Sequence, residues 1–235
     1  MLYGVKKIKG GILKMKKNVV AFVPIKLDSQ RLPHKNILPL GDHSLSWYIF
    51  KTLLRIEGID EVCVFCSDEK VMNYLPKGVK FVQRDSRLDG NLVKGQEIYQ
   101  SFINTVDSEI YILAHTTSPF MTKQSVENAL KNVLSERYDS ALSVLKKQTF
   151  VWYKGETLNY NLNDIPRTQD IEPVYIETSG FYMFKKDHFL SGGRRIGYKP
   201  YFQVLDDIEA IDIDTKDDYE FALKIIDNNK LLQEI

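Results

Sequence analysis

The sequence predicts a three-layer α/β/α fold on a mostly parallel sheet, with one protruding flap. Three observations carry that reading. Several segments are apolar along their whole length, as strands covered on both faces are. They alternate with segments of helical period. The alternation breaks after Lys147, in a stretch rich in aromatic and turn residues.

At 235 residues the chain can bury a substantial core. Its composition, 43% hydrophobic and 27% charged with a formal net charge of +1, is that of an ordinary globular protein. Such a balance gives no support to a nucleic-acid-binding surface, which needs a basic excess. No apolar run approaches the roughly 20 residues of a membrane-spanning helix. Residues 1–17 read as a basic N-terminal tail without the apolar segment of a secretory signal, and Met15 reads as an alternative start. The expected location is therefore cytoplasmic. Residues 18–230 read as a single domain, with 148–178 as the inserted flap.

The elements follow in order. "VVAFVPI" is the first strand. Residues 44–56, "SLSWYIFKTLLRI", form a helix with Leu45, Tyr48, Ile49, Thr52, Leu53 and Ile56 on one face. "EVCVFCS" is a second strand, "DEKVMNYL" a short helix and "VKFVQR" a third strand. "GQEIYQSFINTV" is helical, and "EIYILAH" is a fourth strand ending at His115. "TKQSVENALKNVLSE" is a helix with Thr122 as its N-cap, and "DSALSVLKK" is a fifth strand. After the flap, "IEAIDIDTKDDYEFALKII" reads as a strand running into a final helix. Cys63 and Cys66 form a C-x-x-C, but within a strand they point to opposite faces, which suits buried thiols rather than a redox or zinc pair.

In open α/β sheets ligands sit beyond the carboxyl ends of the strands. The loop after the first strand places Lys26, Arg31 and Lys35 there, with Ser29 and Asn36 as neutral donors and Pro33 and Pro39 as stiffeners. It lacks the glycine spacing of a P-loop or a dinucleotide fingerprint. Cationic side chains and turn amides can still hold a triphosphate, although the same loop in isolation reads equally well as solvated surface. Asp212 and Asp214, two residues apart in an extended run, present both carboxylates to one side. Like charges so close call for a cation, and Mg²⁺ shared with substrate phosphates is the usual answer. The plainer alternative is a pair of turn or capping aspartates, a duty that suits Asp217 and Asp218. His115, Arg84 and Arg167 are each ordinary alone, as a hydrogen-bonded histidine and two ion-paired arginines, and Gln169 and Glu177 lie in the flap. Cations for a polyphosphate, acids for Mg²⁺ and no evident covalent nucleophile together imply transfer at phosphorus, with pyrophosphate as leaving group.

These residues resemble a known family. "PIKLDSQRLPHKN" is similar to the signature loop of the acylneuraminate (CMP-sialic acid synthetase-like) cytidylyltransferases, and "TSP", "PRTQD", "ETSGFY" and "IDIDTKDD" follow in the family's order. The resemblance implies a Rossmann-like nucleotidyltransferase sheet, CTP as substrate, Mg²⁺ as cofactor and a homodimer formed through the flap. It also implies an acidic acceptor activated for surface-glycan precursor synthesis. By that resemblance Lys26, Ser29, Arg31, Asn36 and Arg84 contact the nucleotide, Lys35 the triphosphate, and Asp212 and Asp214 the metal. His115, Arg167, Gln169, Glu177 and Ser179 fall on the acceptor side, Arg167 and Gln169 reaching across the dimer.

By that resemblance the chain reads as a divergent member, and its departures are specific. Lys26 replaces an arginine and loses the planar fork. Leu27–Asp28 replace a glycine pair, Gln30 a lysine, and Ser179 the asparagine of the family's E-N-G. The expected acceptor is a nonulosonate-type sugar or a small phosphorylated metabolite. Two rival readings remain at this level. One takes "DID" as the metal motif of a glycosyltransferase using a nucleotide sugar, and the other is a nucleotide-binding homologue without turnover.

Overall fold

The computed structural model describes residues 18–29 and 31–228, so the N-terminal tail, Met15 and Gln30 lie outside the described residues. In chain order the strands are β1 (Val19–Pro24), β2 (Pro39–Leu40), β3 (His43–Ser44), β4 (Glu61–Cys66), β5 (Lys80–Gln83), β6 (Ile110–Ala114), β7 (Ser140–Lys147), β8 (Trp152–Tyr153), β9 (Glu156–Thr157), β10 (Val174–Lys185) and β11 (Pro200–Val204). The helices are α1 (Leu45–Leu54), α2 (Gly95–Thr105), α3 (Lys123–Leu134), α4 (Lys186–Gly192) and α5 (Lys216–Asn228). Seven strands form the central sheet in the order β11-β7-β10-β6-β1-β4-β5. All run parallel except β10, which is antiparallel to both β6 and β7.

Strand alternation sorts the core into two layers. Val19, Ala21 and Val23 of β1 pack with α1 and α3, while Val20 and Phe22 pack with α2 and α4. Phe22 stacks on Phe102 of α2 at 4.1 Å between centroids and meets Tyr111 edge-on. Cys66 belongs to the first layer and Cys63 to the second, both as free thiols. Burial pushes the Cys63 thiol up to about 12, which keeps it an unreactive core residue. Thr122 caps α3 by accepting the Ser125 N–H. Helix α1 buries Ser46 and Phe50 beside the expected face; Phe50 joins the first layer, while Leu45 and Tyr48 join Ile213 and, from α5, Ala222 and Ile226 in a third cluster.

Three expectations need correction. The run "IEAIDID" forms no strand, because β11 already occupies the edge of β7. Instead it crosses the carboxyl end of the sheet, where the Ile213 N–H donates to the Thr117 carbonyl at 2.9 Å. The flap limit at 178 falls inside β10, whose first residues, from Val174, pair with the end of β7 before a register shift between Glu177 and Tyr182. The strand β11 and the in-sheet half of β10 have no counterpart in the sequence reading. Within the flap, β8 and β9 form a hairpin over Lys154 and Gly155, both at positive φ as a type I′ turn demands. Among the described residues no helix is long and apolar enough to cross a membrane.

Glu209 ties the crossing segment to the core. Its carboxylate accepts the Thr122 N–H at 2.9 Å and the Ser125 hydroxyl at 3.0 Å, at the N-terminus of α3. Glu209→Ala leaves those buried donors unmet and is expected to cost about 1–3 kcal/mol, read as a lower urea midpoint with unchanged m-value.

Candidate active site

The strand order reverses at β1, with β4 on one side and β6 on the other, so a crevice opens where their carboxyl ends diverge. A cleft of about 500 Å³ lies there, lined by the loop after β1, by Arg84 after β5, by residues 88–93, and by His115 after β6. Lys26, Ser29, Arg31 and Lys35 all line it. A 3-10 turn, Lys35–Ile37, entered through His34 at φ 56, presents Lys35.

The two ends of the chain meet at this edge. The Lys35 Nζ lies 2.8 Å from Asp214 Oδ1, and Arg31 Nη1 lies 2.6 Å from Asp214 Oδ2. Burial alone would raise the Asp214 pKa, but the Lys35 hydrogen bond and the Lys35 and Arg31 charges outweigh it and hold the carboxyl below its ordinary range. Asp212 goes the other way. Burial raises it, the Thr117 hydroxyl opposes that, and the neighbouring Asp214 charge adds to it. Asp212 Oδ1 is buried without a hydrogen-bond partner.

That orphaned oxygen is the test of whether a divalent cation fits. Among the described residues no three His, Cys, Asp or Glu side chains converge into a protein cage. Mg²⁺ characteristically takes only one or two carboxylates and completes its shell with phosphate and water oxygens. An unpartnered buried carboxylate oxygen beside a second carboxylate fits that demand, so Asp212 and Asp214 are the side chains that could hold the ion.

Other candidates take more specific places. Asn36 is buried and engaged at both ends of its amide, donating to the Lys26 carbonyl at 2.6 Å and accepting from the Thr116 hydroxyl, so it braces the loop. Lys26 donates to Asn91 Oδ1 at 2.8 Å. Arg84 is only 2% exposed; it pairs with Asp89, donates to the Phe65 carbonyl and leaves its Nε unpartnered. Its fate is burial in the cleft wall rather than a surface ion pair. Asp89 and Asn91 were missed in the sequence, although "RLDGN" after a basic strand end is their signal.

His115 is clamped by the β10 irregularity. Its backbone N–H donates to the Gly180 carbonyl at 3.2 Å, and its Nδ1 lies 2.5 Å from the Ser179 carbonyl. A carbonyl can only accept, so Nδ1 carries the proton and Nε2 keeps its lone pair. Glu177 accepts from the Tyr182 hydroxyl at 2.7 Å beside the same histidine, whose ring meets Tyr182 edge-on. Arg167 and Gln169 are not brought to the cleft. Arg167 makes a bidentate pair with Asp170 on the flap surface, and the Gln169 carbonyl accepts from Gln148. Arg195, absent from the sequence candidates, stacks its guanidinium over Tyr182 at 3.6 Å from the ring centroid.

The family model described as Cytidylyltransferase matches residues 20–235. The chain belongs to the cytidylyltransferase family. It is 24% identical over 227 residues to the N-acylneuraminate cytidylyltransferase of Escherichia coli, covering 90% of this chain and 52% of that protein. It is 25% identical over 223 residues to a pseudaminic acid cytidylyltransferase of Campylobacter jejuni, covering 86% and 94%. The chain thus spans about half the length of the first relative and nearly all of the second. Among solved structures it superposes with TM-score 0.67 and 15% identity on CMP:2-keto-3-deoxy-manno-octonic acid synthetase complexed with CTP, over 90% of this chain and 99% of that one. A 4-diphosphocytidyl-2C-methyl-D-erythritol synthase from Anaerococcus prevotii gives TM-score 0.65 at 12% identity, over 90% and 97%. These likenesses show the Rossmann-like fold, and the family match sets aside the glycosyltransferase reading of "DID".

Burial first, then the Arg195 and Lys35 charges, push the His115 pKa from 6.5 down to about 4, with the Ser179 hydrogen bond opposing. The unfolded chain therefore binds this proton more readily than the folded one. Stability from the neutral ring is present in full above pH ~6.5 and declines as pH falls toward about 4. A series of urea midpoints from pH 7.5 to 4 is expected to show that decline, and His115→Asn is expected to flatten it.

Proposed function

We propose that the chain transfers CMP from CTP to a small acidic acceptor with release of pyrophosphate. The observation that carries this reading is the meeting of Lys35 and Arg31 with Asp214 at the open end of the sheet. Cations and carboxylate neutralise one another there, and both can exchange partners when an anionic substrate and its cation arrive. Lys35 and Arg31 would then take triphosphate oxygens, with Lys26 and Ser29 on the same wall, and Arg84 would lend fixed positive charge from beneath. Asp212 and Asp214 would hold Mg²⁺, which supplies charge neutralisation at the phosphate oxygens when bound.

In the transfer an acceptor oxygen forms a bond to the α-phosphorus. The bond from that phosphorus to the bridging oxygen breaks, and pyrophosphate leaves with the electron pair. A hydroxyl acceptor loses its proton to water. His115 Nε2 accepts a hydrogen bond from that hydroxyl and orients it; a ring with a pKa near 4 is a better positioner than proton store.

The names of the curated relatives favour a sugar acid of the nonulosonate type as acceptor, and through it a place in surface-glycan precursor synthesis. A small phosphorylated metabolite is the second reading. The test is pyrophosphate release on mixing the protein with CTP, Mg²⁺ and a panel of both acceptor classes. Release is expected to need Mg²⁺ and to fall by about 100-fold or more in Asp214→Asn, with the far-UV spectrum unchanged. CTP binding without pyrophosphate from any acceptor would favour the non-catalytic homologue.

We also propose a homodimer through the flap, which would bring Arg167 and Gln169 toward a second copy. Phe150, Trp152, Tyr153, Leu158, Leu162 and Ile165 are exposed along residues 150–165, with Tyr175 and Ile176 adjoining them on β10. Sedimentation is expected to give a dimer that Trp152→Glu shifts to monomer.

A further inference from the structure

Beside the nucleotide cleft, and sharing Gly95 and Tyr99 with it, lies a second pocket of about 520 Å³. Its lining carries Lys94, Arg194 and Arg195 and no carboxylate. Phe189 and Ile196 give it an apolar floor. A concave site with a few convergent charges on an apolar base is the form that small-ligand sites take.

The loop between α4 and β11 that carries the two arginines is held at both ends. The Gly193 carbonyl accepts from Gln96 Nε2. Gly193 itself sits at φ 61, where a Cβ would lie 2.3 Å from that amide nitrogen. At the other end the Ser140 hydroxyl accepts the Gly197 N–H, and the Asp139 carboxylate accepts those of Tyr198 and Lys199. Between these anchors Arg195 lies flat on Tyr182 and donates to the Tyr99 hydroxyl at 3.1 Å. The Glu177 carboxylate forms an ion pair with it at 3.7 Å, beyond hydrogen-bond reach. A guanidinium has five N–H donors, and among the described residues this one uses a single donor in a hydrogen bond. The fork is held in place, and most of its donors are unspent.

We propose that Arg195 binds the anionic group of the acceptor, with Lys94 and Arg194 flanking it, so that the basic pocket is the acceptor subsite and requires a small polyol bearing a carboxylate or a phosphate. This rests on the cytidylyl-transfer reading for its biological meaning, but not for its binding chemistry. The pocket joins the nucleotide cleft at Tyr99, and Tyr182 joins Arg195 to His115, so an acceptor anchored there presents its hydroxyl toward the Nε2 lone pair.

The test measures binding apart from turnover. Isothermal titration of the full chain uses N-acetylneuraminate and 3-deoxy-octulosonate, their methyl esters, and glycerol 3-phosphate against glycerol, each with CTP titrated separately. At least one anion is expected to bind about tenfold or more tightly than its neutral counterpart, and the pair that shows it identifies carboxylate or phosphate. Arg195→Gln is expected to erase that discrimination while CTP affinity stays within about twofold. Arg195→Lys, which keeps the charge and the stem but loses the fork, is expected to retain part of it. Equal binding of acid and ester, no anion bound at millimolar concentration, or a loss confined to CTP overturns the proposal. Anion discrimination without pyrophosphate release would instead count against the transfer reading alone.

Discussion

The contact between Asp214 and the two cations Lys35 and Arg31 is the constraint on which the site depends. It joins residues 179 and 183 positions apart in the chain. Lys35 is only 12% exposed, and an ammonium so covered is costly to leave unpaired. The loop after β1 can therefore settle only if the crossing segment before α5 is in place. That segment has its own ties, through Glu209 to α3, Ile213 to Thr117, and Asp218, which accepts the Asp214 N–H at 3.1 Å. The carboxyl edge of the sheet is closed from both ends of the chain, and the cleft forms as a consequence.

The same contact sets the electrostatics. Asp212 and Asp214 are near neighbours, yet their environments push their pKa values in opposite directions. Asp214 is held ionised by its cations, whereas Asp212 is buried and lacks a partner for one oxygen. A buried unsatisfied carboxylate oxygen needs a reason. In the proposed reaction, exchange of partners would supply one: an arriving anion would draw Lys35 and Arg31 away and leave two carboxylates facing an accompanying cation. Charge would then be redistributed within the site rather than brought bare into a poorly solvated cleft.

Much of this was legible in the sequence because parallel strands announce themselves. "VVAFVPI", "EVCVFCS" and "EIYILAH" are apolar throughout, and the polar residues that follow them must lie at the ligand edge. Lys35, Arg84 and His115 were read as ligand-edge residues for that reason, and all three line the cleft. The misreading of "IEAIDID" has the same origin. Its apolar–polar alternation is that of a strand, but its partner is the Thr117 carbonyl and its apolar side chain Ile213 packs between α1 and α5. Tertiary context decided what local pattern could not. Arg195 was illegible for a different reason. "GGRRIG" looks like a solvated turn, and only the fold brings Tyr99, 96 residues earlier, against it.

The bulge in β10 shows how a local departure from the family pattern can leave the placement of a side chain intact. Ser179 stands where an asparagine is expected and adopts φ 59, a left-handed conformation that costs a non-glycine residue roughly 1–2 kcal/mol. A Cβ at Gly180 would lie 2.3 Å from Met121 Cε and 3.0 Å from Ser143 Oγ, so a side chain there would displace Met121. What this turn provides is two carbonyls aimed at one histidine: Ser179 fixes the Nδ1 proton and Gly180 accepts the backbone N–H. Both contacts are made by main chain, while the Ser179 hydroxyl turns to the Tyr182 hydroxyl. In the proposed reaction, recognition of the acceptor would fall to side chains around that fixed ring, and the cation among them with donors to spare is Arg195.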